Sequence, residues 1–231
     1  MLKLMRLEMK KYKLGSYIQS AVIANFVILG FMLLIMFISK IEGTVDFENY
    51  QEAFSVIDSF VRATFIIFAA TLIAKLIIGE FKNKTISTLF LYPISRKKLI
   101  AAKLAIIVLF TFFSIVISNM FVTTIFCFIS ESYQLIPDTL TASIIKQHIS
   151  PVFMNAIAAS GMSLIPLYFG MRKHSIPTTI ISSILIVMVV SSNNGGFSLN
   201  DIIVIPVSLA LIGISIAYLA IRNIENVDIA S

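Results

Sequence analysis

Residues Gly79 to Lys103 read GEFKNKTISTLFLYPISRKKLIAAK. This stretch carries six lysines and arginines against one acid, Glu80, and it separates two long apolar stretches. The chain of 231 residues is 58% hydrophobic and only 13% charged, with a mean hydropathy of +0.96. Because about a quarter of the residues in a soluble domain are charged, this composition excludes an ordinary soluble protein. The quoted stretch is therefore a basic insert between membrane segments.

Six stretches meet or approach the roughly 20 apolar residues that a helix needs to cross a bilayer. They are residues 17–38, 57–78, 99–129, 152–169, 176–190 and 202–221. Backbone polar groups in lipid must be satisfied within a segment, and these stretches are too long for the alternating strands of a barrel. The sequence therefore predicts an all-α polytopic membrane protein, in which residues 1–231 form a single domain with six transmembrane helices.

Lysine and arginine are sorted into alternate loops. Of the 18 in the chain, 15 lie before the first apolar stretch, between the second and third or in their facing ends (Lys75 and Lys103), between the fourth and fifth, or after the sixth. Only Lys40 and Lys146 fall in the other loops, and Arg62 lies within a stretch. The positive-inside rule then places both termini and the basic insert in the cytoplasm, in a multi-pass protein of the cell membrane. The net charge of +6 reflects this sorting and requires no nucleic acid partner.

The segment before the first apolar stretch, residues 1–14, has an amphipathic pattern. Leu2, Met5, Met9 and Tyr12 recur at helical spacing, and lysine and arginine recur on another face. This pattern predicts a helix that lies on the inner membrane surface. The alternative is a frayed basic end that only obeys the positive-inside rule.

The cytoplasmic segment 79–95 also has a helical pattern. One face of that pattern carries Phe81, Thr85, Leu89 and Tyr92. Glu80 suits the first turn of a helix, whose dipole is positive there. Pro93 ends the pattern because it lacks an N–H and restricts the residue before it, and Ser95 stands where an N-cap would open the third span. We predict a helix of three turns, attached at both ends to membrane spans.

Motifs of catalysis and nucleotide binding are missing from the sequence. It contains no phosphate loop, no nucleophile elbow and no zinc-binding His pair. His148 and His174 lie at opposite membrane faces in the predicted topology, and Cys127 is the only cysteine. We therefore expect a chain that is not itself an enzyme and holds no cofactor or metal.

Several residues around the insert resemble a family motif. Glu80, Thr85, the run Pro-Ile-Ser-Arg at 93–96, and Lys103 are similar to the segment after the second span in ABC-2 type permeases. These are the membrane subunits of ATP-binding-cassette exporters. The six spans, cytoplasmic termini and amphipathic N-terminal helix agree with that family. The chain departs from the family at Lys84, where glycine is common.

The resemblance implies that segment 79–95 is a coupling helix that docks on a separate ATPase subunit, which would hold ATP and Mg. It also implies that two permease chains, identical or different, assemble with two ATPases. The small single-domain form resembles permeases that export peptides or antibiotics, as in lantibiotic immunity and bacitracin resistance. The candidate ATPase-coupling residues are Glu80, Phe81, Thr85, Leu89, Phe90, Tyr92 and Arg96. The alternative for the insert is a basic loop that only sets topology.

Polar and small residues within the spans have two interpretations each. Asp58 and Arg62 lie one helical turn apart in the second span, where they would form an outer gate or a structural ion pair that reaches the surface. Asn119 suits a hydrogen bond to a neighbouring helix. Small residues around Gly161 permit close helix packing, within the chain or with a second chain.

The apolar composition of the spans favours a hydrophobic or amphipathic cargo. A small-ion transporter would be expected to have more buried carboxylates or broken helices at the membrane midplane. Two other classes stay open from the sequence: a secondary transporter, and a membrane scaffold or sensor that transports nothing. Neither would need an ATPase.

Overall fold

The computed structural model of the chain describes residues 2–12, 15–42, 47, 49–83, 95–133, 136, 141–191, 193–194, 197–198 and 204–223. The described part is almost entirely helical, as predicted. Its helices are α1 (Leu2–Lys11), α2 (Gly15–Glu42), α3 (Tyr50–Lys82), α4 (Arg96–Tyr133), α5 (Ala142–Met162), α6 (Pro166–Lys173), α7 (Ile176–Val190) and α8 (Val204–Asn223). Between α7 and α8, β1 (Asn193–Asn194) and β2 (Phe197–Ser198) form a two-residue antiparallel ladder.

Five helical segments in the described part are long and apolar enough to cross a membrane. They are α2, α3, most of α4, the continuous run Ser143–Lys173 that spans α5 and α6, and most of α8. Helix α7 is equally apolar but has only 15 residues. At 1.5 Å per residue it reaches about 22 Å, short of the roughly 30 Å hydrocarbon core. The prediction of helices long and apolar enough to cross a membrane is confirmed for these five, and a sixth crossing by α7 stays a prediction.

Prolines begin the two short helices. Pro166 is the first residue of α6, and Pro177 lies in the first turn of α7. Proline fits this position because its missing N–H would have no partner inside the helix. His174 ends α6 in the left-handed conformation, with a φ of 45°, which is a common way for a helix to stop.

The chain packs as two compact units, each built from separate stretches of sequence. Unit 1 contains Met1–Leu14, Phe65–Phe112 and Ile157–Ser231, and unit 2 contains Gly15–Thr64 and Phe113–Ala156. In unit 1, buried aliphatic side chains of α3 such as Leu76 and Ile78 form part of the core. In unit 2, Phe54, Ile57 and Phe126 are buried.

The small residues of the fourth apolar stretch pack against α8 of the same chain, within unit 1. A Cβ atom added to Gly213 would lie 2.1 Å from the carbonyl oxygen of Gly161. A Cβ added to Gly161 would lie 2.8 Å from the Cβ of Ala210. The two helices therefore approach at a distance that only glycine permits.

We expect the substitution Gly213→Ala to lower the free energy of unfolding by roughly 1–3 kcal/mol, because the added methyl group forces α5 and α8 apart. Gly30→Ala in α2 is the matched control, since its added Cβ would meet nothing within 4 Å. Denaturant unfolding in detergent micelles, followed by circular dichroism, measures both variants. Equal stability of the two would contradict this close packing.

Candidate functional site

A buried ion pair joins the ends of α3 and α4 on either side of residues 84–94. Glu80 lies in the last turn of α3 and Lys103 in the second turn of α4, with only 4% and 0% of their surfaces exposed. The Lys103 ammonium donates a hydrogen bond to a carboxylate oxygen of Glu80. A buried charge is costly unless it is paired, so the two side chains hold each other in place.

The N-terminal helix α1 is attached to the same carboxylate. The Tyr12 hydroxyl donates a hydrogen bond to Oε1 of Glu80, and the ammonium of Lys11 lies 2.8 Å from that oxygen. Glu8 is buried and lies 3.6 Å from the Lys103 ammonium. We call these five residues, Glu8, Lys11, Tyr12, Glu80 and Lys103, the Glu80 cluster. Its two acids and two cations balance, and it connects three helices within unit 1.

Tyr12 is a hydrogen-bond donor across the whole physiological pH range. Burial first, and then the hydrogen bond to Glu80, raise the pKa of the Tyr12 hydroxyl well above its ordinary value. The Lys103 ammonium also lies 5.6 Å from the centre of the Tyr12 ring, within the range of a cation–π contact. The hydrogen bond from Tyr12 to Glu80 therefore keeps its donor proton near neutral pH.

A π-helical turn in α3 ends two residues before Glu80. It covers Ala74–Ile78, and the N–H of Gly79 donates to the carbonyl oxygen of Ala74. The Lys103 ammonium donates a second hydrogen bond, 2.8 Å long, to the carbonyl oxygen of Leu76 in this turn. π-Turns occur frequently at functional positions because they interrupt the regular ladder of a helix. Lys103 thus binds both the irregular turn and the carboxylate that follows it.

The local prediction for Glu80 is wrong in one respect. Glu80 was expected to open a separate helix after a span that ended near Ile78. Instead, Ile78 and Gly79 keep helical backbone angles, and α3 continues without a break to Lys82. Glu80 therefore lies at the end of a long helix, where Lys103 rather than a helix dipole compensates its charge.

The other candidate coupling residues fall into three groups. Phe81 is half-buried, and its ring lies 5.9 Å from the ring of His174 after α6. Arg96 is the first residue of α4. The helix begins there because the N–H of Leu99 donates a hydrogen bond to the carbonyl oxygen of Ser95. The remaining four, Thr85, Leu89, Phe90 and Tyr92, lie outside the described residues, so their predicted helix and role stay predictions.

Sequence reasoning missed most of the Glu80 cluster. It placed Tyr12 with Met5 and Met9 on one face of α1 at the membrane surface, but the Tyr12 hydroxyl binds Glu80, and Glu8 is buried near Lys103. The available signal was the spacing of Glu8 and Tyr12, which are four residues apart and so share one face of a helix. Lys103 was part of the family motif, but nothing in the sequence paired it with Glu80.

A second polar network lies in unit 2, around Asp58. Nε of Arg62 lies 3.0 Å from Oδ2 of Asp58, so the predicted i,i+4 ion pair is present. The pair is buried, and the expectation that it reaches the surface is wrong. Its position is tolerated because Asn155 and Asn119 on other helices donate hydrogen bonds of 2.8 and 3.2 Å to Asp58.

The Asn119 contact confirms the prediction that this residue bonds to a neighbouring helix. The Asp58 network therefore connects α3, α4 and α5 within unit 2. This is the role expected of a structural ion pair. Its proposed alternative role as an outer gate stays a prediction. Within the described part of the chain, no three or more His, Cys, Asp or Glu side chains are grouped to hold a metal ion.

Comparison with known proteins agrees with this architecture. The family described as "ABC-2 family transporter protein" matches residues 4–191. The match covers α1 to α7 and includes both polar networks. A protein of Bacillus subtilis strain 168, named "Uncharacterized protein YcbO", is 48% identical over 227 residues, which cover 98% of this chain and 100% of the relative. No solved structure matches the chain.

The family match covers most of the chain, and the membrane-crossing helices suit a multi-pass membrane protein of this kind. The residues that carried the resemblance, Glu80 and Lys103, lie in the matched region and contact each other. The chain therefore belongs to the ABC-2 family of transporter proteins.

Proposed function

We propose that this chain is the membrane subunit of an ATP-binding-cassette exporter, which moves a hydrophobic or amphipathic molecule outward with energy from a separate ATPase. Family membership supports the class. The sequence contains no phosphate loop, so ATP hydrolysis would have to occur in another chain. ATP and Mg would then be bound by that partner and not by this subunit.

The Glu80 cluster is the observation that best supports mechanical coupling. Segment 84–94 leaves α3 at one end and enters α4 at the other, and Glu80 and Lys103 join these two helices by a buried ion pair. Lys11 and Tyr12 add α1 to the same point. Segment 84–94 connects α3 to α4, and both helices share the Glu80 cluster with α1. A displacement of this segment is therefore transmitted to all three helices.

The candidate contacts with the ATPase are apolar residues of the coupling segment. Leu89, Phe90 and Tyr92 are the proposed anchors, since a few large apolar residues usually dominate an interface. Glu80 has a different role from the one first assigned to it. Its carboxylate is buried against α1 and α4, so it positions the segment and does not itself bind the partner.

The proposed assembly contains two permease chains and two ATPases. Helices α2 and α8 each expose many large apolar side chains, including Phe26, Phe31, Leu211 and Tyr218. Such faces suit contact with lipid or with a second permease chain. The small single-domain form favours a peptide or antibiotic as cargo, by resemblance to other members of the family.

Topology is the first requirement of this proposal, because the coupling segment must lie in the cytoplasm. We expect single cysteines at Glu48 and Asn83, in a background with Cys127 replaced by Ala, to react from opposite sides of the membrane. An impermeant maleimide applied to intact cells should label the first position and not the second. Labelling of both positions in intact cells would contradict the proposed topology and with it the coupling role.

A further inference from the structure

A cavity of about 240 Å³ lies within unit 2, between α3, α4 and α5. Phe54, Asn119, Thr123 and His148 contribute to its wall. Apart from Thr124, its remaining wall is apolar and includes Ile149 and Phe153, which are more than 40% exposed. The cavity therefore combines polar atoms inside with an apolar rim.

Three buried polar atoms on this wall have no hydrogen-bond partner. They are Oδ1 of Asn119, Oγ1 of Thr123 and Nε2 of His148. Only five such side-chain atoms occur in the described part of the chain, and three of the five line this one cavity. Unpaired polar groups are costly away from water and require an explanation wherever a folded protein keeps them.

The Asn119 side chain is held firmly in an orientation that leaves its oxygen free. Its residue is only 1% exposed, and its amide nitrogen donates to Oδ1 of Asp58 and to the carbonyl oxygen of Ile115, both at 3.2 Å. The opposite amide orientation would place the oxygen against the Asp58 carboxylate and repel it. Oδ1 of Asn119 is therefore a fixed acceptor that needs a donor from outside the chain.

Thr123 differs from the threonine beside it. The hydroxyl of Thr124 donates to the carbonyl oxygen of Met120 at 2.7 Å, which is the usual arrangement for threonine in a helix. The hydroxyl of Thr123 makes no such bond. The His148 ring packs on Phe54 with the ring centres 4.8 Å apart, which fixes the direction of its unpartnered Nε2.

We propose that this cavity binds the head of a neutral amphipathic molecule that carries a hydroxyl or amide N–H group. The donor satisfies Asn119, while Thr123 and His148 bond to other polar atoms of the same head. The ion pair of Asp58 and Arg62 is internally neutral, so the site provides no counter-charge for an ionic head. The cavity is smaller than the 300 Å³ or more of a typical ligand pocket, so the apolar tail lies along the exposed rim.

This inference narrows the class of cargo of the proposed exporter. Only the identification of the bound molecule as cargo rests on that proposed function. Binding itself requires neither ATP nor a partner chain. The full chain, reconstituted alone in phosphatidylcholine nanodiscs, can therefore be probed with a diazirine-bearing dodecanol and analysed by mass spectrometry. Dodecanol, methyl dodecyl ether and dodecanoate serve as competitors with similar tails and different heads.

We expect photolabelling within residues 119–124 and 145–153, and competition by dodecanol at least threefold stronger than by the ether, which has no donor. Thr123→Val should weaken labelling roughly threefold to tenfold, the effect of one lost hydrogen bond. Thr124→Val is the matched control and should change it less than twofold, because that hydroxyl is already bonded within its helix.

Several results would overturn the inference: equal competition by alcohol and ether, stronger competition by dodecanoate, equal labelling of the two threonine variants, or no competable labelling at these peptides. The last result would mean that the cavity holds water only. Because no ATPase is present, a failure here leaves the exporter proposal standing. Conversely, if the chain binds the probe but never recruits an ATPase, the exporter proposal is contradicted and the binding-site proposal stands.

Discussion

Replacing Lys103 by Met is expected to lower the free energy of unfolding by about 3 kcal/mol. The substitution keeps an unbranched side chain only one atom shorter but removes the cation that faces Glu80, Glu8 and the Leu76 carbonyl oxygen. Removal of one partner from a buried ion pair typically costs 3–5 kcal/mol, because the remaining charge stays buried without compensation. We expect the low end, since Lys11 and Tyr12 still contact Glu80.

Two further variants separate charge from packing in this experiment. Lys98→Met makes the same change at an exposed position of α4 and should alter stability by less than about 0.5 kcal/mol. Adding Glu80→Gln to Lys103→Met restores neutrality in the cluster and should recover part of the loss. Denaturant titration in detergent, followed by circular dichroism, gives all three values. If Lys103→Met were as stable as Lys98→Met, the ion pair would not hold α3 and α4 together.

Replacing both Leu89 and Phe90 by Asp is expected to release the ATPase from the purified complex. If each residue is an interface anchor worth about 2 kcal/mol, the double substitution weakens binding by roughly 1000-fold. Both positions are predicted to lie outside the hydrocarbon, so the membrane spans should still insert. The measurement is the amount of ATPase retained on a tagged permease after purification.

Asn83→Asp is the control for added negative charge in the same region. It lies at the exposed end of α3 and removes no apolar anchor, so the ATPase should stay bound. If Leu89→Asp/Phe90→Asp inserts normally and retains its ATPase with full coupled hydrolysis, the segment is only a topology signal.

The sequence predicts helix boundaries well where the flanking residues carry clear signals. Helix α7 has the predicted bounds, because Pro177 favours its first turn and polar residues follow Val190. Helix α4 begins at Arg96, directly after Ser95, as expected. These boundaries depend on local chemistry, which one sequence contains in full.

The contacts that make the candidate site could not be predicted in the same way. The π-turn Ala74–Ile78 is made of ordinary helix-forming residues, so nothing in its sequence marks the irregular ladder. Glu80 and Lys103 are separated by 23 positions, and their pairing follows only from how α3 and α4 pack. For Asp58, the local partner Arg62 was visible at helical spacing, whereas Asn155 comes from a helix almost 100 residues later.

The central claim is that this chain works with a separate ATPase, and purification of the wild-type complex tests it most directly. The tagged chain would be isolated from membranes of its own host in mild detergent, and the proteins bound to it identified by mass spectrometry. The account predicts a stoichiometric subunit that contains a phosphate loop and hydrolyses ATP while bound to the permease. Recovery of the folded chain without any nucleotide-binding subunit, under conditions in which it carries out its transport, would contradict it.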